Sequence, residues 1–74
     1  MPTHTIMDHT GHTEKVWDKA DVVGVEEAMQ RFEKMTRDGY TAVAVAPEGA
    51  PGRRLDKFDP NVEETMFIPR LVGG

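Results

Sequence analysis

Few groups in this 74-residue chain are equipped for chemistry. Three imidazoles, His4, His9 and His12, fall near the N-terminus beside Asp8 and Glu14. Imidazole nitrogens bind metals and exchange protons near neutral pH. The sequence has no cysteine, which excludes thiolate zinc sites, disulfides and a cysteine nucleophile. Asp8 is the only carboxylate before Glu14, so the histidines read as surface residues of a polar hairpin. Asp8, His9 and Thr10 imply no enclosed pocket. No catalytic residue, metal ligand or cofactor is assigned. The remaining group is the α-carboxylate after Gly73-Gly74. A terminal carboxyl titrates near about 3.5, so it is an ionised nucleophile at neutral pH without help from a base. Two residues without Cβ atoms leave it on a tail slim enough for a narrow channel.

The rest of the chain must carry that tail. Its length fits one domain spanning 1–74, too small to enclose a large cleft. That favours a carrier or binding protein over an enzyme. The formal net charge is −4, and Arg53-Arg54 is an isolated basic pair. A nucleic-acid binder would show a basic stripe with interleaved aromatics, and none is present. No apolar run reaches membrane-spanning length. Residues 1–8 lack the build of a secretion signal, which points to the cytoplasm.

The element pattern is regular. Thr3, Thr5 and Ile6 mark a strand over 3–8, His9-Thr10-Gly11-His12 a glycine turn, and 13–18 a second strand. Val22, Val25, Ala28, Met29, Phe32 and Met35 then fall at helical spacing. Asp21 is the expected N-cap, Lys34 and Arg37 suit the C-terminal dipole, and Gly39 suits a left-handed stop. These residues predict a helix over 22–38. A buried strand is expected over 40–46, a loop over 47–52, and a charged edge strand over 53–58. Asp59-Pro60-Asn61 reads as a turn. A last strand follows over 66–72, interrupted by Pro69. Trp17, Phe32, Phe58 and Phe67 are the expected core, with Met29 and Met35 filling gaps. The order is β-β-α-β-β-β, an α+β arrangement with one helix packed on a mixed sheet.

This order, and the C-terminus in particular, resembles the ubiquitin-like β-grasp family. The tail is most similar to the small sulfur-carrier subunit of molybdopterin synthase. The residues that carry the likeness are Glu63-Glu64, Thr65-Met66-Phe67-Ile68, Pro69, Leu71 and Gly73-Gly74. Arg70 stands where that family often has a second proline. The match covers the last dozen residues, and the remainder agrees by element order. The N-terminal hairpin with its histidines has no counterpart motif.

The resemblance implies that an E1-like adenylating enzyme, itself binding ATP, docks the tail and last strand through Phe67, Pro69, Arg70 and Leu71. The Gly74 carboxylate would attack the α-phosphate and expel pyrophosphate. Sulfide or a thiolate would then displace AMP. The product is a thiocarboxylate passed to a sulfur-acceptor enzyme, or a conjugate on target-protein lysines. Pro69 would stiffen the strand ahead of the flexible Gly73-Gly74 tail and lower its ordering cost. The alternative is a non-conjugated β-grasp interaction module with an idle tail. Arg53-Arg54 and Arg70 read as solvated charges that can also steer a partner.

Overall fold

The structure, a computed structural model, describes residues 1–46 and 52–69. Two strands, β1 (Thr3–Asp8) and β2 (Gly11–Val16), precede helix α1 (Val22–Arg37). Strands β3 (Thr41–Ala44), β4 (Arg53–Arg54) and β5 (Glu64–Ile68) follow. One five-stranded mixed sheet results, in the order β2-β1-β5-β3-β4. β1 and β5 run parallel, and the other neighbours are antiparallel. The helix packs on one face of this sheet, so the element order and the α+β class match the sequence pattern.

The hairpin turn is tighter than expected. Asp8 pairs with Gly11, leaving His9-Thr10 as a two-residue connection. Asp8 Oδ1 accepts from the Thr10 backbone N–H at 2.8 Å and from its hydroxyl at 2.6 Å. Gly11 has φ +138°, a conformation that other residues rarely adopt. The second strand therefore starts at Gly11 rather than at 13 and ends at Val16.

Helix α1 is fixed at both ends by the residues that the sequence marked. The Asp21 side chain accepts from the Val23 N–H at 3.1 Å. At the other end Gly39 (φ +102°) donates to the Thr36 carbonyl at 3.1 Å, and Tyr40 donates to the Met35 carbonyl at 3.0 Å. This is a Schellman stop. Met35 and Tyr40 pack together with the core beneath it. Tyr40 is thus spent on the cap, and β3 begins at Thr41.

Strand alternation sorts the sheet into two faces. Ala42, Ala44, Phe67 and Phe32 of the helix form the core with Leu55. The small Ala42 and Ala44 side chains let the Phe32 ring approach the sheet, where it meets Phe67 at 5.7 Å between centroids. The helix buries Ala28 and Phe32, a narrower stripe than its apolar residues suggested. Met29 is 40% exposed, so it does not fill the core as expected, and Val22 in the first turn is 79% exposed. Position 29 lies about 100° around the helix from 28 and falls on the flank. β4 is two residues long, shorter than the expected 53–58 strand, and β5 begins at Glu64, two residues before the expected 66. Most of the expected 47–52 loop lies outside the described residues. Gly52 is described, and a Cβ there would stand 2.6 Å from the Ala44 carbonyl oxygen. No helix of the described residues is long and apolar enough to cross a membrane.

Candidate functional site

β5 leads to the terminal glycines, so its placement decides what the tail is attached to. It is the middle strand, paired with β1 on one side and β3 on the other. Val45 extends the ladder by donating to the Glu64 carbonyl at 2.9 Å, and Thr3 donates to the Glu63 carbonyl at 2.8 Å. Backbone bonded on both sides cannot flex independently of the sheet. β5 ends at Ile68, with half-buried Pro69 after it, and residues 70–72 of the expected 66–72 strand lie outside the described residues.

Alternation splits the expected docking residues. Phe67 points into the core with 0% exposure. Its expected role as a partner contact is corrected: the ring is a structural anchor against Phe32 and His4. Pro69 is half-buried. Arg70, Leu71, Gly73 and Gly74 lie outside the described residues.

Sequence reasoning missed the neighbour of Phe67. Ile68 is 41% exposed. By register and alternation it shares the helix-free face with half-buried Met66, Val43 and Thr41. One row crosses all five strands on that face: Glu14, Thr5, Met66, Val43 and Arg54. The Thr5 hydroxyl, inside this row, donates to Glu64 Oε2 at 3.2 Å. The row is therefore apolar at Met66 and Val43, acidic at the β2 edge and basic at the β4 edge, and Glu64 adds a carboxylate beside it on the same face of β5. Assigning Phe67 to the core was enough to place Met66 and Ile68 opposite it, so the signal was present in the period-two pattern.

The basic pair is tied locally. Arg53 lies 4.0 Å from Asp59, and Arg54 lies 3.8 Å from Asp56. Arg53, Arg54 and Asp56 are exposed and Asp59 is half-buried, so these long pairs contribute little stability.

The histidines divide sharply. His9 and His12 are exposed on the hairpin, with His12 Nε2 3.9 Å from Glu14. Hydrogen bonds from the Thr10 hydroxyl and amide hold the Asp8 carboxyl below its ordinary range, which suits a turn stabiliser. Among the described residues, no three His, Asp or Glu side chains gather to hold an ion.

His4 is not on the surface. It is fully buried on the helix side of β1, which corrects its expected place in a polar hairpin. Its ring lies 4.4 Å from Trp17, 4.9 Å from Phe67 and 6.1 Å from Phe58. Arg31 reaches it from the helix, Nη1 to Nδ1 at 3.1 Å. A guanidinium only donates, so Nδ1 accepts and the neutral ring carries its proton on Nε2. That Nε2 and the Trp17 Nε1 are buried without a hydrogen-bond partner among the described residues. Burial first, and Arg31 second, lower the His4 pKa from its ordinary 6.5 to about 4. His4 shares its strand phase with apolar Ile6, and that spacing was the available clue.

No protein family, curated protein or solved structure matches this chain. Function must therefore be argued from the residues and their placement.

Proposed function

We propose that this chain is a ubiquitin-like carrier or modifier of the β-grasp kind, whose Gly74 carboxylate is the substrate of a separate adenylating enzyme. The observation that carries this reading is the position of β5. The strand nearest the Gly73-Gly74 end is the middle strand of the sheet, bonded on both sides. The sheet order, with β1 and β5 parallel and one helix between the hairpin and β3, supports the β-grasp assignment.

The division of labour follows from the chemistry. The carboxylate is already ionised, so the chain need supply no base. The partner supplies ATP, charge stabilisation for the phosphoryl groups, and the thiolate or sulfide that displaces AMP. What this chain contributes is positioning. Docking through Met66, Val43 and Ile68 would hold the start of the tail a few residues from the bond to be formed, converting an encounter between two molecules into a local search. Pro69, at the exit of the strand, removes freedom at the hinge. The sulfur-carrier branch draws its support from the Glu63-to-Gly74 residues, and the modifier branch from the ubiquitin-like size of the domain.

Exposed Ile68 favours one competing reading, a non-conjugated module that binds through the same face. Deleting Gly74 separates the two. With an E1-like enzyme and ATP, the intact chain is expected to drive pyrophosphate exchange. The truncated chain is expected to lose that exchange while its fold persists. Exchange unaffected by the deletion would refute the carrier reading and leave the interaction module.

A further inference from the structure

The His4 cluster plays no part in the proposed tail chemistry, yet it gathers features that proteins usually avoid. A fully buried imidazole sits 3.1 Å from a guanidinium. Two buried N–H donors, on His4 and Trp17, have no acceptor among the described residues. Each such donor normally costs stability. The arrangement tolerates only the neutral ring, because Nδ1 must accept from Arg31.

The charged groups around the ring leave no compensation for a proton. From α1 come Arg31 and, one turn earlier, Glu27, whose influence falls on Arg31. From β2, Lys15 stands opposite His4 in register. From β5 the register partner is uncharged Thr65. The 56–58 segment presents the Phe58 ring to His4, flanked by exposed Lys57 and Asp56. Trp17 closes the remaining side; its backbone amide donates to the Pro2 carbonyl at 3.1 Å, and its indole N–H is the unpartnered donor. Among the described residues, no carboxylate bonds the imidazole. An imidazolium there would be fully buried and would face the half-buried Arg31 guanidinium 3.1 Å away, so desolvation and like-charge repulsion both oppose it.

The two halves of the interior differ in this respect. Phe32, Phe67, Ala42, Ala44 and Leu55 form a core cluster that does not include His4 or Trp17, with Ile6 of β1 packed against it from the hairpin. The Trp17 side is joined to it through ring edges of His4, Phe58 and Phe67.

We propose that His4 is an acid-operated latch: protonation of its imidazole breaks the Arg31 contact and releases Trp17, opening the N-terminal hairpin side while the Phe32–Phe67 core stays closed. Above the ordinary histidine range the latch is shut. As pH falls from 6.5 toward 4 the open form binds the proton that the closed form refuses. The open-to-closed ratio then rises by up to about tenfold per pH unit.

Trp17 is the chain's single tryptophan, so its fluorescence reports the latch directly. Titration from pH 7.5 to 4 is expected to shift its emission to the red while the helical far-UV signal persists. NMR of the His4 ring should show the Nε2–H form until the same transition. His4→Phe, which keeps a ring and cannot take a proton, is expected to hold Trp17 in its native emission across this range. The proposal is overturned if the variant shows the same shift, or if helix and Trp17 signals are lost together. It also fails if His4 titrates near its ordinary value with Trp17 undisturbed. Should His4→Phe not fold, the His4 NMR titration of the unaltered protein decides between these outcomes.

Discussion

Burying an imidazole against a guanidinium makes stability depend on pH, and the sign follows from the two states. Unfolded, His4 titrates at its ordinary 6.5; folded, at about 4. Between these values the unfolded chain binds the extra proton, so stability is complete above pH 6.5 and falls as pH drops toward 4. At about 1.4 kcal/mol per pKa unit, the loss reaches roughly 3 kcal/mol. Urea denaturation at pH 7 and pH 4 measures it, and His4→Phe is expected to abolish this component. Phe67 makes a second residue-scale prediction. Its ring is fully buried between Phe32 and His4. Phe67→Ala is expected to cost about 3–5 kcal/mol, enough to unfold a domain of this size. Ile68→Glu, one position along, is expected to leave the denaturation midpoint nearly unchanged and weaken partner capture. Equal destabilisation by the two substitutions would contradict the assignment of Phe67 to the core and Ile68 to the open face.

At the scale of elements, helix α1 was the most legible part of the chain. Asp21, Ala28, Phe32 and Gly39 do what their types and spacing implied. Capping is local chemistry, decided within a few residues. Asp21→Ala is expected to cost about 1 kcal/mol. Gly39→Ala, forced to keep a positive φ, is expected to cost about as much or more. Gly52→Ala meets a different obstacle, the Ala44 carbonyl 2.6 Å away. It should loosen the β3–β4 pairing, read as faster amide exchange at Leu55, whose N–H donates to Ala42. Strand limits were less legible. Two residues of β4 pair only because β3 is beside them. Where Tyr40 stops being cap and β3 starts depends on the helix stop as much as on β propensity. The helix flank misled for a similar reason: Met29 is apolar at helical spacing, but the sheet beneath reaches only the Ala28–Phe32 stripe.

Across the whole molecule, the order of elements was readable from the chain, whereas the sheet order was not. Nothing local in β1 or β5 announces that they pair in parallel; that follows from closing the sheet over one helix face. The same closure buries His4, which had read as a surface residue of a polar hairpin. It also makes β5 central, and this is what ties the fold to the tail. Phe67 was read from the sequence as a docking residue, but strand alternation in the closed sheet gives it to the core and turns its neighbour Ile68 to the open face. The helix-free face, with Met66, Val43 and Ile68 flanked by Glu14 and Arg54, is where an adenylating partner is expected to dock. Raising ionic strength should then weaken docking only modestly, because the centre of that row is apolar.

The central claim concerns the fate of the Gly74 carboxylate, and intact-mass analysis of the protein recovered from its native cell tests it most directly. A fraction of the chains is expected to be heavier by the difference between a sulfur and an oxygen atom, localised to the last residue. That is the outcome of the sulfur-carrier branch; in the modifier branch Gly74 is found instead in isopeptide linkage to a target lysine. Recovery of only the free acid, even after incubation with an E1-like enzyme, ATP and a sulfur donor, would contradict the account. So would a native chain that continues past Gly74 without being cut there.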